Sequence, residues 1–270
     1  MAEIRAVCGH DCPDQCSLKL TVEDGRLVRV EGDPDHPFTQ GFICAKVGRA
    51  PEMAHSPDRL TTPLRRTGPK GSGSFAPISW EAALDEIASI WRAAMAAEGP
   101  AALCGYAYSA HQGKINRLLV NALFEALEAT RVDGGTVCDS TANAAWDATL
   151  GEAAGADPEA VLDCDLILAW GADLMTTNVH FWTLVQEARR RGATLVVIDP
   201  RRTRAAVQAD WHLQVPVGAD AALALGAMHV LAAEGLHDGD WLAGHAEGFA
   251  EFARDVLPAW TPARVEAEAG

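Results

Sequence analysis

The feature that most constrains this chain is the spacing of its cysteines. Four of the seven thiols follow the pattern C-x3-C-x3-C-x27-C, at Cys8, Cys12, Cys16 and Cys44. Structural zinc sites usually combine two pairs of cysteines that are two to four residues apart. Iron–sulfur clusters take four cysteines, often three close together and one distant. The spacing therefore favours a [4Fe–4S] cluster, with a zinc site or no metal as the alternatives.

The segment between Cys16 and Cys44 predicts a small β-structure. Apolar residues alternate before and after Asp24-Gly25, at Leu18, Leu20, Val22, Leu27, Val28 and Val30. Alternation on both sides of an Asp-Gly pair is typical of a β-hairpin. Such a hairpin would carry the chain away from Cys16 and bring Cys44 back to it.

Charge and composition narrow the classes of partner. The chain has 270 residues, with 22 Lys+Arg against 37 Asp+Glu and a net charge of −15. This balance excludes nucleic acid as an expected partner and argues against anionic membranes. No apolar run reaches the roughly 18–20 residues of a membrane span. The N-terminal sequence has no signal-peptide pattern, so a cytoplasmic location is expected, and seven is an odd number for a disulfide framework.

A connector rich in Pro, Gly, Arg and Ser over residues 57–77 predicts a domain boundary near residue 60. We therefore expect a small domain over residues 1–60 and a larger one over residues 61–270. Ser79 can cap a helix that runs to Glu98 and ends at Gly99. A short strand over 101–106 and a helix over 114–129 are expected to follow.

The clearest unit of the larger domain lies between residues 165 and 199. Apolar runs over 165–170 and 194–198 predict two buried strands, and the helical segment 178–191 lies between them. Strand, helix and strand form a βαβ unit with a parallel sheet. The predicted fold class is therefore α/β: a small N-terminal domain with a β-hairpin, then a Rossmann-like parallel-sheet body. A further helix is predicted over 220–234.

Ligands of such sheets bind beyond the carboxyl ends of the strands. That rim carries Gly171, Asp173, Asn178 and residues 199–202, and the turn before the last helix adds Gly218 and Asp220. The sequence contains no G-x-G-x-x-G, so the standard dinucleotide fingerprint is absent. A nucleotide-like ligand and ordinary turn chemistry both remain open for this rim.

Two groups of residues together carry a family resemblance. The first comprises the Cys8–Cys16 run, residues 31–37 and Cys44-Ala-Lys46, and the second comprises residues 170–173 and 198–202. With these motifs the chain resembles the N-terminal part of the molybdopterin oxidoreductases of the dimethyl-sulfoxide-reductase superfamily. That superfamily includes formate dehydrogenases and nitrate reductases. The resemblance covers essentially the whole chain.

The resemblance implies metal-binding roles for named residues. Cys8, Cys12, Cys16 and Cys44 look like the ligands of one [4Fe–4S] cluster. Lys46 matches the family lysine that lies between cluster and pterin, and a solvated surface lysine is the alternative. Cys138, in the glycine-rich segment 134–140, matches the protein ligand of molybdenum or tungsten. An ordinary buried cysteine is the alternative there, and Ser140 is the second candidate ligand. Cys104 and Cys164 are expected in the core.

The resemblance also implies a cofactor for the rim, a bis-molybdopterin guanine dinucleotide of molybdenum or tungsten. The residues that resemble contacts to one guanine-dinucleotide arm are Trp170, Gly171, Asp173, Asn178, Asp199, Arg201, Gly218 and Asp220. Arginines and helix N-termini suit the phosphates, and carboxylates suit ribose hydroxyls and the guanine edge.

Two departures limit what the resemblance implies. Formate dehydrogenases have a histidine directly after the metal ligand, whereas this chain has Asp139. This difference weakens the interpretation of the chain as a formate dehydrogenase. His111 and His180 are other candidates for a catalytic role, although a lone histidine is more often structural. Family enzymes are considerably longer, so we expect a fragment, a truncated form or a split subunit that is inactive without the C-terminal domains.

The expected function is a molybdopterin-dependent oxidoreductase. It would act on a small-molecule substrate and exchange electrons with a partner protein through the [4Fe–4S] cluster. The alternatives are an iron–sulfur electron-transfer subunit that has the same fold but no molybdenum, and a zinc-stabilised binding module.

Overall fold

A computed structural model describes residues 2–10, 12–106, 114–132, 139–152 and 155–270. The chain divides into two compact units, Met1–Ala156 and Asp157–Gly270. The first unit contains β1 (Ala2–Val7), β2 (Ser17–Glu23), β3 (Arg26–Gly32), α1 (Ala45–Gly48), α2 (Ala50–Ala54), β4 (Leu64–Arg66), β5 (Phe75–Pro77), α3 (Trp80–Glu98), β6 (Cys104–Gly105), α4 (Lys114–Ala126), β7 (Thr130–Arg131) and α5 (Ser140–Leu150).

The second unit contains β8 (Leu166–Trp170), α6 (Leu174–Thr177), α7 (Val179–Arg190), β9 (Thr194–Ile198), α8 (Arg204–Gln208), β10 (Trp211–Leu213), α9 (Asp220–Ala233), α10 (Gly239–His245), α11 (Phe249–Asp255) and α12 (Pro262–Ala269). Short 3₁₀ turns occur at Pro100–Ala102, Pro158–Asp163 and Leu257–Ala259. None of the helices in the described ranges has both the length and the apolar character that a membrane crossing requires.

The predicted β-hairpin is confirmed. Strands β2 and β3 pair antiparallel, and Glu23 opposes Arg26 across a two-residue turn. Asp24 and Gly25 both have positive φ angles, 48° and 77°, as a type I′ turn requires. Strand β1 pairs antiparallel with β2 and makes the sheet three-stranded, an addition that the sequence did not predict.

The predicted helix after Ser79 is also confirmed. The Ser79 hydroxyl accepts a hydrogen bond from the backbone N–H of Ala82 at 3.1 Å, and the helix ends at Gly99. The strand expected over 101–106 is shorter than predicted. Pro100–Ala102 forms a 3₁₀ turn instead, so only Cys104–Gly105 remain as β6, which pairs in parallel with β7. Helix α4 ends at Ala126, three residues before the predicted end.

The second unit is built on a three-stranded parallel sheet in the order β10-β9-β8. The central strand β9 has apolar neighbours on both faces. Leu195 and Val197 are fully buried with Val185 of α7 on one face, and Val196 and Ile198 pack with residues of α12 and the segment before α9 on the other. Burial on both faces explains why β9 is a continuous apolar run. The predicted βαβ unit is therefore confirmed.

Cys104 and Cys164 correct the sequence prediction, because both side chains are exposed. Cys104 lies on the two-residue strand β6, and the Cys164 thiol contacts the carbonyl of Ala160 at 3.6 Å. An apolar neighbourhood in the sequence did not bury either thiol, because each lies at the end of a short element rather than inside a packed strand.

Candidate functional site

Three of the four N-terminal cysteines converge at one end of the first sheet. Cys8 follows β1 and Cys16 precedes β2, and the backbone N–H of Cys8 donates to the carbonyl of Cys16 at 2.9 Å. Cys44 lies directly before α1. Cys16 is 5% exposed, and Cys8 and Cys44 pack against the same apolar cluster that contains Cys16, Leu18, Val30 and Val47.

The electrostatics of the thiols bring Cys12 into the same group. Burial, together with the charges of Cys8, Asp14 and Cys12, raises the pKa of the Cys16 thiol to about 11. Burial also raises the pKa of Cys12, with contributions from Asp14 and Cys44. Each of the four thiols therefore lies within electrostatic reach of at least one other. Thiolates assembled in this way need a cationic centre to stabilise them.

The donor set fits an iron–sulfur cluster. Four thiolates are the usual ligands of [4Fe–4S]. Within the described part of the chain, no group of three or more His, Cys, Asp or Glu is arranged to hold a single metal ion. Four cysteines can also bind one zinc ion, so the donor set alone leaves the zinc alternative open.

The return of Cys44 to the sheet depends on a close backbone approach. A Cβ atom on Gly32 would lie 2.3 Å from the carbonyl oxygen of Gly41, so only glycine fits at position 32. Gly41 itself has a φ of 82°. This contact between Gly32 and Gly41 holds the loop over residues 33–40 against the end of β3. The chain that follows the loop then places Cys44 in the cysteine group.

The same loop contains a charged group whose role the sequence analysis missed. The Asp33 carboxylate is buried and forms ion pairs with Arg5 at 3.0 Å and Lys19 at 3.5 Å. Nearby, the imidazole Nδ1 of His36 accepts from the backbone N–H of Thr39 at 3.0 Å. Asp33 and His36 belong to the 31–37 motif that carried the resemblance, and a buried polar role could have been suspected from that motif.

Other predicted residues of the first unit are only partly described. Lys46 is exposed on α1, two residues after Cys44. Cys138 and His111 lie outside the described residues, so the metal-ligand prediction for Cys138 stays a prediction. Asp139 precedes α5 and accepts a hydrogen bond from the Asn143 amide at 3.2 Å, and Ser140 is the first residue of that helix.

In the second unit, the rim of the sheet brings several predicted residues together. The indole N–H of Trp170, at the end of β8, donates to a carboxylate oxygen of Asp220 at 2.7 Å, and Asp220 begins α9. The N–H of Gly171 donates to the carbonyl of Ile198 at 2.8 Å, which ties together the ends of β8 and β9. Gly218 precedes α9, with a φ of 94°.

The segment after β9 is held by Asp199. Its buried carboxylate accepts the backbone N–H of Arg201 at 2.7 Å, and its carbonyl contacts the Nε2 of His212 at 2.9 Å. The side chain of Arg201 is exposed. The backbone of this turn is therefore fixed while a guanidinium group faces outward, as anion recognition requires.

Asp173 and Asn178 carry buried acceptors. One side-chain oxygen of each, Oδ1 in both cases, is buried and has no hydrogen-bond partner within the described residues. Asp173 precedes α6, and Asn178 lies between α6 and α7. Buried acceptors are normally satisfied, so these two fit a ligand that offers hydroxyl or amino donors. His180, two residues further on, is buried in α7, in agreement with a structural role.

Two family models match the chain, one over most of its length and one over the segment that contains the four cysteines. The model described as "Molybdopterin oxidoreductase" matches residues 59–254. The chain belongs to the molybdopterin oxidoreductase family. A second model, "Molybdopterin oxidoreductase Fe4S4 domain", matches residues 1–56, the segment in which the four cysteines converge. These matches confirm the resemblance, and they indicate a [4Fe–4S] cluster and a molybdopterin cofactor of molybdenum or tungsten.

Named relatives agree with this family. The chain is 38% identical over 266 residues to "Probable oxidoreductase YoaE" of Bacillus subtilis, covering 98% of this chain and 39% of the relative. It is 27% identical to "Thiosulfate reductase molybdopterin-containing subunit PhsA" of Salmonella typhimurium, covering 96% and 34%. Among solved structures, acetylene hydratase from Pelobacter acetylenicus matches with a TM-score of 0.77 and 28% identity, covering 98% and 36%.

This molybdopterin oxidoreductase chain therefore spans less than two fifths of the length of these relatives. The predicted α/β fold class is confirmed, as is the assignment to the N-terminal portion of the family. The roles of individual residues, and the division at residue 60, remain predictions.

Proposed function

We propose that this chain is the N-terminal part of a molybdopterin-dependent oxidoreductase that acts on a small molecule and exchanges electrons with a partner protein. The observation that carries the proposal is the convergence of Cys8, Cys12, Cys16 and Cys44, with burial and mutual repulsion raising the thiol pKa values of Cys12 and Cys16. Thiolates at such a site destabilise one another when no cation is bound. The iron atoms of an iron–sulfur cluster would stabilise them.

These four cysteines would hold the [4Fe–4S] cluster. When bound, the molybdenum or tungsten centre supplies two-electron redox chemistry, and the cluster supplies one-electron transfer. Lys46 follows the last ligand by two residues, so its ammonium would favour added electron density on a neighbouring group. The raised pKa of Cys16 implies that cluster assembly releases protons from these thiols, because thiolates are the ligands.

The rim of the second unit would hold one guanine-dinucleotide arm of a bis-molybdopterin cofactor. The orphaned oxygens of Asp173 and Asn178 support donors such as ribose hydroxyls or the guanine amino group. Arg201 suits a phosphate, and Gly218 leaves the backbone open before α9. The hydrogen bond from Trp170 fixes the Asp220 carboxylate, so that its second oxygen can accept from the cofactor.

Cys138 would be the protein ligand to the metal, since a thiolate suits a metal already bound by dithiolene sulfurs. Ser140, two residues on, is the second candidate. Asp139 stands where formate dehydrogenases have a histidine, which argues against formate as the substrate.

Partners and location are further parts of the proposal. Several relatives carry the word "subunit" in their names, among them a thiosulfate reductase and a formate dehydrogenase, which supports an electron-transfer partner. We propose that further domains of the same enzyme complete the substrate site and that the domains of this chain divide near residue 60. We also propose a cytoplasmic location, a compartment in which thiols stay reduced, and none of the six cysteines that the structure describes forms a disulfide.

Metal analysis of the intact protein, purified without oxygen, tests the function. We expect about four iron atoms per chain, molybdenum or tungsten, and a [4Fe–4S] electron paramagnetic signal after reduction. One zinc and no iron would overturn the proposal. Iron without molybdenum or tungsten would instead support the electron-transfer subunit. A Cys138→Ala variant should retain its iron and lose turnover, and unchanged turnover would remove Cys138 as the metal ligand.

A further inference from the structure

The buried carboxylate of Asp33 directly follows β3. The Asp33 side chain is 3% exposed. Its oxygen Oδ2 lies 3.0 Å from Arg5 and accepts from the Ser17 hydroxyl at 3.3 Å. Its oxygen Oδ1 lies 3.5 Å from Lys19 and accepts the backbone N–H of Asp35 at 3.2 Å. The backbone N–H of Asp33 also donates to the carbonyl of Ser17 at 2.9 Å.

These partners of Asp33 lie on the two strands that border Cys8 and Cys16. Arg5 lies on β1, three residues before Cys8. Ser17 begins β2 and directly follows Cys16. Val7 and Ser17 are paired residues of the two strands. One carboxylate therefore holds β1 through Arg5 and β2 through Ser17, and each of these residues lies within three positions of the cysteine that borders its strand.

The charge of this group is well defined. Burial alone would raise the pKa of Asp33, but the backbone N–H of Asp35 and the cations Arg5 and Lys19 outweigh it and lower that pKa. Asp33 is therefore an anion at neutral pH, within a network that contains two cations. A buried ion pair that loses one partner leaves an uncompensated charge, which is strongly unfavourable.

We propose that Asp33 is a positioning residue for the iron–sulfur cluster. It fixes the separation of Cys8 and Cys16, so that cluster binding requires no rearrangement of β1 against β2. The inference rests on the proposed function, in which these cysteines are cluster ligands. Groups that orient metal ligands typically contribute about 10- to 100-fold to metal retention.

The test compares iron release from the intact protein and from an Asp33→Asn variant, both purified without oxygen and challenged with an iron chelator. The amide preserves the size of the side chain and removes its charge. We expect release to be about 10-fold faster. We also expect the reduction potential of the cluster to become more positive, because a nearby negative charge is lost.

A Lys19→Gln variant supplies the opposite charge change in the same network. It should also accelerate iron release, but it should move the potential to more negative values, because a positive charge is lost. A merely structural network would not shift the potential in opposite directions. Thr39→Ala is the matched control, since Thr39 is a buried, uncharged polar residue that hydrogen-bonds to His36 in the same loop.

The outcomes separate the two proposals. Wild-type protein without iron would overturn the cluster itself. Wild-type protein with about four iron atoms, together with unchanged release and unchanged potential in Asp33→Asn and Lys19→Gln, would overturn the role of Asp33 alone. If Asp33→Asn does not fold, Lys19→Gln decides, because Lys19 is partly exposed and its loss leaves the Arg5 pair in place.

Discussion

The indole nitrogen of Trp170 lies 2.7 Å from a carboxylate oxygen of Asp220, a residue 50 positions further along the chain. Trp170 ends β8 and Asp220 begins α9, so a single hydrogen bond connects the carboxyl end of a strand with the amino end of a helix. Asp220 was predicted at the rim from the turn before the last helix, and the family resemblance implied both residues as cofactor contacts. Their contact places a polar group of each at the same part of that rim.

Replacing Trp170 with Phe should weaken the second unit. A smaller aromatic ring remains, but the donor to Asp220 is lost, and a hydrogen bond of this kind contributes about 1 kcal/mol. The free energy of unfolding in urea should fall by that amount. Trp211→Phe is the control, because Trp211 is exposed on β10. Equal losses in the two variants would contradict a stabilising role for the Trp170–Asp220 bond.

Replacing Gly32 with Ala should strongly impair cluster binding. The new methyl group would lie 2.3 Å from the carbonyl oxygen of Gly41, so the loop over 33–40 must move away and displace Cys44. Iron per chain, measured after anaerobic purification, should drop well below that of the wild type. Gly244→Ala is the control: its Cβ would meet no atom within 4 Å, and it should retain the iron.

Replacing Cys16 with Ser should remove the cluster while leaving the rest of the chain folded. Cys16 is the most buried of the four thiols, and the serine hydroxyl is a poor ligand for iron in comparison with a thiolate. The visible absorption of the cluster should be lost. Cys104→Ser is the matched exchange at an exposed thiol, and its spectrum should not change. Loss of the cluster from both variants would show a general sensitivity to oxidation rather than ligation.

Much of the fold could be predicted because local chemistry and tertiary packing agree. The Asp24-Gly25 turn requires positive φ angles at two positions, which that dipeptide accepts. Strand β9 is apolar throughout because both its faces are covered. The two predictions succeeded for different reasons, the first from backbone conformation and the second from burial.

The remainder depends on long-range contacts that no local pattern reports. Strand β1 pairs with β2 across the cysteine loop, and the alternation of its six residues, Ala-Glu-Ile-Arg-Ala-Val, does not by itself indicate which strand it pairs with. The ion pairs of Asp33 join residues that are 14 and 28 positions apart. Cys104 illustrates the converse, since an apolar neighbourhood in sequence predicted burial where the folded chain leaves the thiol exposed.

The Asp210 carboxylate should make the second unit sensitive to acid. It accepts the backbone N–H of Leu195, in the central strand β9, at 2.8 Å, and it pairs with Arg189 at 3.1 Å. The hydrogen bond from Leu195 lowers the pKa of Asp210 below its ordinary value of 3.8, burial opposes the shift, and Arg189 adds to it. The unfolded chain therefore binds this proton more readily than the folded chain does.

The stability that Asp210 contributes is consequently complete above about pH 4 and is lost as the pH falls through the lower, folded-state pKa. An Asp210→Asn variant should be less stable than the wild type at pH 7, and the difference should shrink at pH 3, as measured by urea unfolding at both values. Asp240→Asn removes an exposed carboxylate of α10 and should show no such narrowing. A difference for Asp210→Asn that is the same at both pH values would mean that the amide, rather than the charge, accounts for the loss.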